Sequence, residues 1–375
     1  MRSVAAAGVA PACLATACLA LACPALAGLA MAQPAAGDPP ASFAPVVPGR
    51  TLRFPEDFGA HPEFRTEWWY VTGWLKTERG EPLGFQVTFF RTRPGIAEDN
   101  PSAFTAHQLL IAHGALSDPA RGRLWHDQTI ERAGFGLAEA RSGDTAVWID
   151  RWRLERTAGL YHADLDADEF ALHLTLRATQ ALLLEGEAGF SRKGTAPQAA
   201  SYYYSVPHLA VEGTIRRRAV GETVTGEAWL DHEWSSEYLE PQAVGWDWTG
   251  LNLDDGSALM AFRTRGTDGR MRWGAATLRT ADGTVMSFGA PEVAFEPRGS
   301  WRSPRTGILY PMRWQIRVGA RTLELEPLLA DQENDTRVST GAIYWEGAVR
   351  ALEAGRVVGR GYLELTGYGE RLRLR

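Results

Sequence analysis

The sequence predicts an all-β protein built of two similar β-domains, and three observations carry that prediction. The first is alternation. Phe170-Ala171-Leu172-His173-Leu174-Thr175-Leu176 has the period of two expected of a strand with one buried face. Gly84-Phe85-Gln86-Val87-Thr88-Phe89-Phe90 has the aromatic and β-branched composition of a second strand. The second observation is hairpin-turn chemistry at residues 220–226 and 278–285. The third is that no segment carries an amphipathic helix of four turns. Many short strands at regular spacing point to sandwiches or barrels.

The elements follow in chain order. Residues 1–32 read as an export signal: Arg2 is the single charge, and the stretch after it is rich in Ala, Leu and Cys. Ala30-Met31-Ala32 then offers the small residues that a signal peptidase requires before Gln33. The competing reading is a lipoprotein processed at Cys23, after Ala20-Leu21-Ala22. The mature chain is thus expected to be periplasmic or secreted. All 3 cysteines fall in this segment, so a disulfide-free mature protein must rely on its core. No later apolar stretch reaches the ~20 residues of a membrane span. Residues 33–48 are Pro/Ala-rich and read as a linker.

With 375 residues the chain has room for two ordinary domains. Its net charge is −6, from 39 basic and 45 acidic residues, with no long run of either sign. That excludes the basic stripe of a nucleic-acid binder. A weak internal repeat supports two domains. Trp68-Trp69-Tyr70-Val71-Thr72-Gly73 leads through a turn to Phe90-Arg91-Thr92-Arg93, and Trp246-Asp247-Trp248-Thr249-Gly250 leads to Phe262-Arg263-Thr264-Arg265. Hairpins share composition, so coincidence stays open beside duplication. Duplication would join the two domains near residues 215–240.

Candidate chemistry gathers where carboxylates lie among aromatics. In Arg65-Thr66-Glu67-Trp68-Trp69-Tyr70, strand alternation puts Glu67 and Trp69 on one face and Trp68 and Tyr70 on the other. In Trp229-Leu230-Asp231-His232-Glu233-Trp234 it groups Trp229, Asp231 and Glu233. Two carboxyls on one apolar face raise each other's pKa, as a general acid requires. The competing reading pairs Asp231 or Glu233 with an arginine such as Arg65. Trp246 and Trp248 flank Asp247 on a strand with one half-buried face. Tyr202 and Tyr204 share a side of Ser201-Tyr202-Tyr203-Tyr204-Ser205, where packing and catalysis both remain open. No metal or cofactor motif is complete. His232-Glu233 lacks a second helical histidine, and Asp164-Asp166-Asp168 lacks the glycine and glutamate of a calcium loop.

Six blocks in order carry a resemblance. They are Glu67-Trp68-Trp69-Tyr70 with Thr72-Gly73, the Ser201–Ser205 run, Leu230-Asp231-His232-Glu233-Trp234, Gly245-Trp246-Asp247-Trp248, Tyr344-Trp345-Glu346-Gly347, and Gly361-Tyr362-Leu363-Glu364-Leu365-Thr366-Gly367-Tyr368. Over nearly all of residues 50–370 the chain resembles the AttH-like branch of the carotenoid 1,2-hydratase (hydroxyneurosporene synthase) family. The resemblance implies two consecutive lipocalin-like β-barrel domains, here residues 49–236 and 237–375. It also implies relatives that handle apolar, often terpenoid, molecules. Carotenoid hydratases add water to a terminal alkene, and the AttH-like branch is mostly exported and often encoded beside ABC-type permease subunits.

In the hydratases an aspartate protonates the alkene, and Asp231 stands at the matching position. A His and a Trp about thirty residues upstream in those enzymes are matched here by Tyr202 and Tyr204. The leading expectation is therefore an exported protein that binds an apolar or amphipathic ligand and serves an envelope ABC-type transport system. The alternative is acid-catalysed hydration or isomerisation of an alkene. It would use Asp231, with Glu67, His232 and Glu233 tuning it and Trp68, Trp69, Tyr202, Tyr204, Trp229, Trp246 and Trp248 walling the ligand. Neither expectation calls for a metal or cofactor.

Overall fold

Tight turns between apolar runs set the strand order. Gly80 (φ 84°) closes the turn after Thr77, and Gly256 (φ 86°) closes the one after Leu253, where Leu253 N–H donates to Ser257 O at 2.9 Å. Both glycines occupy the left-handed region that side chains avoid. Residues 42–372 are described by this computed structural model. The export-signal reading of residues 1–32 and the linker up to residue 41 lie outside them. Among the described residues the regular elements are strands and two short 3-10 turns.

The first sheet contains β1 (Thr66–Thr77), β2 (Pro82–Thr92), β3 (Leu109–Asp118), β4 (Arg123–Arg132), β5 (Ala138–Ala140), β6 (Ala146–Ile149) and β7 (Trp152–Thr157). It continues with β8 (Leu160–Asp166), β9 (Phe170–Ala178), β10 (Leu183–Leu184), β11 (Phe190–Arg192), β12 (Ala200–Arg217) and β13 (Val220–Ser235). The second group is β14 (Gly245–Leu253), β15 (Ala258–Arg265), β16 (Met271–Arg279), β17 (Val285–Gly289), β18 (Val293–Pro297) and β19 (Ser300–Arg302). It ends with β20 (Leu309–Pro311), β21 (Trp314–Val318), β22 (Arg321–Pro327), β23 (Glu333–Thr336), β24 (Ala342–Glu353) and β25 (Arg356–Leu365).

The first sheet runs β4-β3-β2-β1-β13-β12-β9-β8-β7-β6-β5, with β10 and β11 added on β12. Its first and last long strands pair, so the sheet curls into a nearly closed barrel whose gap lies between β4 and β5. The second runs β17-β16-β15-β14-β25-β24-β22-β21-β18, with β23 on β24, and β19–β20 form a separate hairpin. Again the first strand pairs with the last. The all-β, lipocalin-like expectation holds in both.

The register refines the repeat. Glu67 stands opposite Arg91 and Trp68 opposite Phe90, while Asp247 stands opposite Arg263 and Trp248 opposite Phe262. The Phe-Arg-Thr-Arg halves therefore correspond, and Glu67 matches Asp247. The glycines that end the two aromatic segments do not correspond.

Three apolar clusters organise these sheets. One fills the first barrel, with Trp69, Val71, Phe85, Val87, Phe89, Tyr204 and Trp234. Another fills the second, with Trp314, Trp345, Leu363 and Leu365. The third joins the outer faces of the two sheets through Tyr70, Trp74, Tyr203, Trp229, Trp248, Phe262 and Tyr362. Strands β1, β2, β12 and β13 are consequently buried on both faces, which explains their near-continuous aromatic content. Burying each large side chain contributes about 1.5–3 kcal/mol. One turn expectation is corrected. Residues 220–226 are not a turn but the start of β13; the chain reverses at Arg218 (φ 57°). Gly226 is there for close approach, since a Cβ would meet the Trp74 carbonyl oxygen at 2.0 Å.

Candidate functional site

Strand parity divides the candidate residues between two environments. On β1, Glu67 and Trp69 point into the first barrel, and Trp68 and Tyr70 point toward the second sheet. On β13, Leu230 and Trp234 share the barrel core, whereas Trp229 joins the aromatic layer between the sheets. His232 goes with the first set; Asp231 and Glu233 go with the second.

The barrel side holds a neutralised ion network. Glu67 Oε2 accepts from Arg91 Nε at 2.8 Å, and Oε1 lies 2.7 Å from His61 Nδ1 and 2.8 Å from His232 Nε2. His61 Nε2 reaches Asp57 Oδ1 at 2.9 Å. With carboxylates at both ring nitrogens, His61 is the imidazolium. Burial opposes that charge, but Glu67 and Asp57 outweigh it and raise the His61 pKa. Burial likewise opposes ionisation of Glu67, and Arg91 and His61 overcome it, holding Glu67 well below the usual carboxylate range. His232 is neutral because burial lowers its pKa; it donates to Glu67 and accepts from Tyr204 Oη at 3.0 Å. The His61 ring stacks on Trp234 at 3.8 Å and His232 on Trp69 at 4.6 Å.

His61, Glu67 and His232 each place a ligand atom within 4.8 Å of the others, close enough to hold a metal ion. Both histidine nitrogens, however, already point at one Glu67 oxygen, and Arg91 holds the other. The donor set suits protons better than a cation.

Between the sheets the balance reverses. Asp231, Glu233, Glu346 and Glu364 line a narrow slot of about 70 Å³ with Trp68, Tyr70, Gln86, Phe90, Trp246, Trp248 and Tyr344. Asp231 Oδ1 accepts from Ser205 Oγ at 2.5 Å and Trp229 Nε1 at 2.6 Å, and Oδ2 accepts from Tyr203 Oη at 2.7 Å. No cation pairs with it among the described residues. Burial pushes its pKa up to about 7, against the pull of those three donors. Glu364 is pushed by burial to about 7, although Trp246 Nε1 donates to it at 2.8 Å. Glu346, opposite Glu364 across β24 and β25, is raised well above its ordinary value by burial and by that neighbour. Glu346 Oε1 and Gln86 Oε1 are buried acceptors without a hydrogen-bond partner.

Lys193 is the cation of this layer, 2.7 Å from Glu233 Oε1 and 2% exposed. Even so, burial keeps the Glu233 pKa raised. A cavity of about 520 Å³ lined by Arg65, Glu237, Tyr238 and Arg371 shares Thr66 and Tyr238 with the slot.

Several sequence expectations are thereby relocated. Trp69, Tyr202 and Tyr204 sit in the barrel core rather than on the slot, because strand parity turns them inward. Tyr202 Oη donates to Val47 O at 2.9 Å, a structural bond. Glu67 and His232, expected to tune Asp231, face away from it. The arginine expected for Asp231 or Glu233 is absent, and Lys193 pairs with Glu233 instead of Arg65. Trp68, Trp246 and Trp248 line the slot, and Trp229 contacts Asp231. Sequence reasoning missed Tyr203 and Ser205, although their parity with Asp231 was available. It also missed Lys193 and His61, which lie in irregular segments without periodicity. Glu346 and Glu364 stood in quoted blocks without an assigned role.

An AttH-like family model matches residues 45–368. An AttH protein from Nitrosomonas europaea is 54% identical, with a TM-score of 0.82, covering 87% of this chain and 100% of that one. Kievitone hydratase from Nectria haematococca is similar in fold, with a TM-score of 0.65 at 14% identity, covering 88% of this chain and 98% of its own. CghA has a TM-score of 0.50 at 14% identity, covering 88% and 97%. No curated protein matches the sequence. The ordered aromatic–acid blocks, the paired barrel-like sheets and the 54% identity agree, and the chain belongs to the AttH-like family.

Proposed function

We propose that the slot receives the reacting end of a largely apolar molecule and that Asp231 donates a proton to it. The reaction class is hydration or isomerisation of an isolated alkene in a terpenoid-like substrate. The observation that carries this reading is Asp231 itself: 3% exposed, without a cation, and with a pKa of about 7. Such a group takes up a proton near neutral pH and gives it up without a large penalty, the property a general acid needs. The shape supports the reading as well. A slot of about 70 Å³ has room for one end of a molecule only.

Proton transfer from the Asp231 carboxyl to one alkene carbon makes a C–H bond, leaves the carboxylate and places positive charge on the other carbon. The faces of Trp68, Trp246 and Trp248 suit that charge. Water then adds its oxygen to the cation and returns a proton to a carboxylate, or a neighbouring C–H loses its proton and the double bond moves. The fold also carries a hydratase in kievitone hydratase, which supports this reading by fold alone.

The second reading is a carrier that retains the ligand without chemistry. It is favoured by the three donors that already occupy Asp231, an arrangement equally suited to a fixed structural anion.

One experiment separates the two. Terpenoids with a terminal alkene are incubated in ¹⁸O-water with wild type and Asp231→Asn, and binding is followed by tryptophan fluorescence. The enzyme reading expects label in the product or a shifted double bond, lost by ~10²–10⁴-fold in the variant while binding persists. Unchanged turnover in Asp231→Asn, or binding by wild type without any conversion, sinks it.

A further inference from the structure

Ser205 Oγ lies 2.5 Å from Asp231 Oδ1 and 2.9 Å from Glu185 Oε1, so one hydroxyl bridges two carboxyl groups. A serine hydroxyl has one hydrogen to give. If Ser205 donates to Asp231, its contact with Glu185 is a hydrogen bond only when Glu185 is protonated and donates to Ser205. If Ser205 donates to Glu185, Asp231 must carry the proton. With neither protonated, two lone-pair oxygens would face each other away from water, at a cost that buried polar groups avoid. The geometry requires one proton on the pair.

Its resting place follows from the remaining partners. Asp231 also receives Trp229 Nε1 at 2.6 Å and Tyr203 Oη at 2.7 Å, both of which favour the anion. Glu185 is 0% exposed, Ser205 is the partner of its Oε1, and the Thr277 hydroxyl is its other neutral neighbour, one donor fewer than Asp231 has. The proton therefore rests on Glu185, and the charge on Asp231.

We propose that Glu185 is the proton reservoir of Asp231, connected to it through the Ser205 hydroxyl. The proposal rests on the reading of Asp231 as a proton donor. In the transfer, the Glu185 proton moves to Ser205 Oγ as the Ser205 proton moves to Asp231 Oδ1. One O–H bond breaks and one forms at Ser205, and no electrons are exchanged. Glu185 touches neither slot nor substrate and acts through Asp231, which makes it a positioning residue.

Burial pushes Glu185 up to about 8 and Asp231 up to about 7, in the order that the geometry demands. The charged and titratable groups around the pair are Lys193 after β11, Glu233 on β13, Tyr203 on β12, Tyr238 after β13, Arg279 on β16 and Glu364 on β25, with the Thr277 hydroxyl beside Glu185.

Isotope-edited infrared spectroscopy tests the reservoir without a substrate. Protein carrying ¹³C-carboxyl glutamate, or separately ¹³C-carboxyl aspartate, is titrated from acid to alkaline pH as wild type, Glu185→Gln and Asp231→Asn. In wild type the Asp231 band, identified by its loss in Asp231→Asn, is expected to titrate in two steps. A protonated glutamate band present at pH 7 should vanish in Glu185→Gln. In that variant Asp231 should titrate in one step at least a pH unit lower, because the introduced amide still donates to Ser205 but holds no mobile proton. A single Asp231 step in wild type, or an unmoved step in Glu185→Gln, overturns the reservoir. The wild-type titration needs no variant to fold. A two-step titration together with full turnover by Asp231→Asn would instead reject acid catalysis and leave the shared proton standing.

Discussion

Glu67 and Asp231 lie on adjacent strands, in a register that pairs Tyr70 with Asp231 and Glu67 with Trp234. They are 0% and 3% exposed, and both are ringed by aromatic side chains. Yet one is held well below the ordinary carboxylate range and the other is raised to about 7. Burial raises both. The difference is the company each keeps: Glu67 meets Arg91 and His61, while Asp231 meets neutral donors and other carboxyls. A buried acid with its cations is part of the scaffold, and a buried acid without them is a proton donor in waiting. The second barrel repeats the first kind. Asp247, the counterpart of Glu67, lies 2.6 Å from Arg263 and 3.0 Å from Arg265. The exceptional carboxyls are those that both sheets turn toward each other.

The largest effect should come from breaking the compensated cluster. Arg91 binds Glu67, and its guanidinium also donates to Gln108 and to the His61 and Phe64 carbonyls at 2.7–3.0 Å. Arg91→Met removes all of these and leaves the buried Glu67 carboxylate with the His61 imidazolium alone, a class of change that costs about 3–5 kcal/mol. Urea denaturation measures it. Asp231→Asn keeps shape at a carboxyl that has no cation, so near pH 4, where that carboxyl carries its proton, the same assay should move by less than about 1 kcal/mol. Equal losses in the two variants would erase the distinction between the clusters.

The carboxyl groups of the two clusters should also respond to pH with opposite sign. Asp231 has a folded pKa of about 7 against an ordinary 3.8, so the folded state binds its proton more tightly. That stability is complete below about pH 4 and is lost as the pH rises toward 7, at about 1.4 kcal/mol per unit per proton. Glu67 and Asp57 have lowered values, so their contribution is present above the ordinary carboxylate range and is lost as the pH falls below it. Denaturation midpoints of wild type and Asp231→Asn between pH 4 and 8 should therefore diverge, with the variant flatter. Parallel curves would mean that Asp231 is an ordinary anion.

How much of this was legible depended on what kind of pattern held each residue. The Trp68–Trp69–Tyr70 alternation placed Glu67 and Trp69 on one face, and Asp231 and Glu233 on another, because a strand has only two sides. The repeated Phe-Arg-Thr-Arg revealed the second barrel because the arginine pairs with an acid in each. What alternation left open was which face looked inward. Both faces of β1 and β13 are apolar, since one fills a barrel and the other meets the second sheet. Tyr202 and Tyr204 were thus set beside Asp231, when Tyr203 is the residue that touches it. His61, Lys193 and Glu185 lie outside the long strands, and only the closing of the chain brings them to their carboxyl partners. The Glu346–Glu364 pair depends on the register between β24 and β25, which the spacing within either strand does not encode.

Lys193 provides the finest test, because it makes the open cluster resemble the compensated one in a single place. Its Nζ lies 2.7 Å from Glu233 Oε1 and 4.2 Å from the centroid of the Phe262 ring. If charge balance decides which carboxyls are reactive, Lys193→Met should raise the Glu233 pKa further, since the cation that opposes burial is gone. The carboxyl then takes a proton rather than remaining a stranded anion, and the loss of stability stays near ~1 kcal/mol, well short of Arg91→Met. Infrared detection of a new protonated glutamate at neutral pH, beside a urea midpoint close to wild type, is the expected pair of results. A loss as large as that of Arg91→Met, with Glu233 still ionised, would show that Lys193 and Arg91 do the same work. The line drawn between the two faces of β13 would then be in the wrong place.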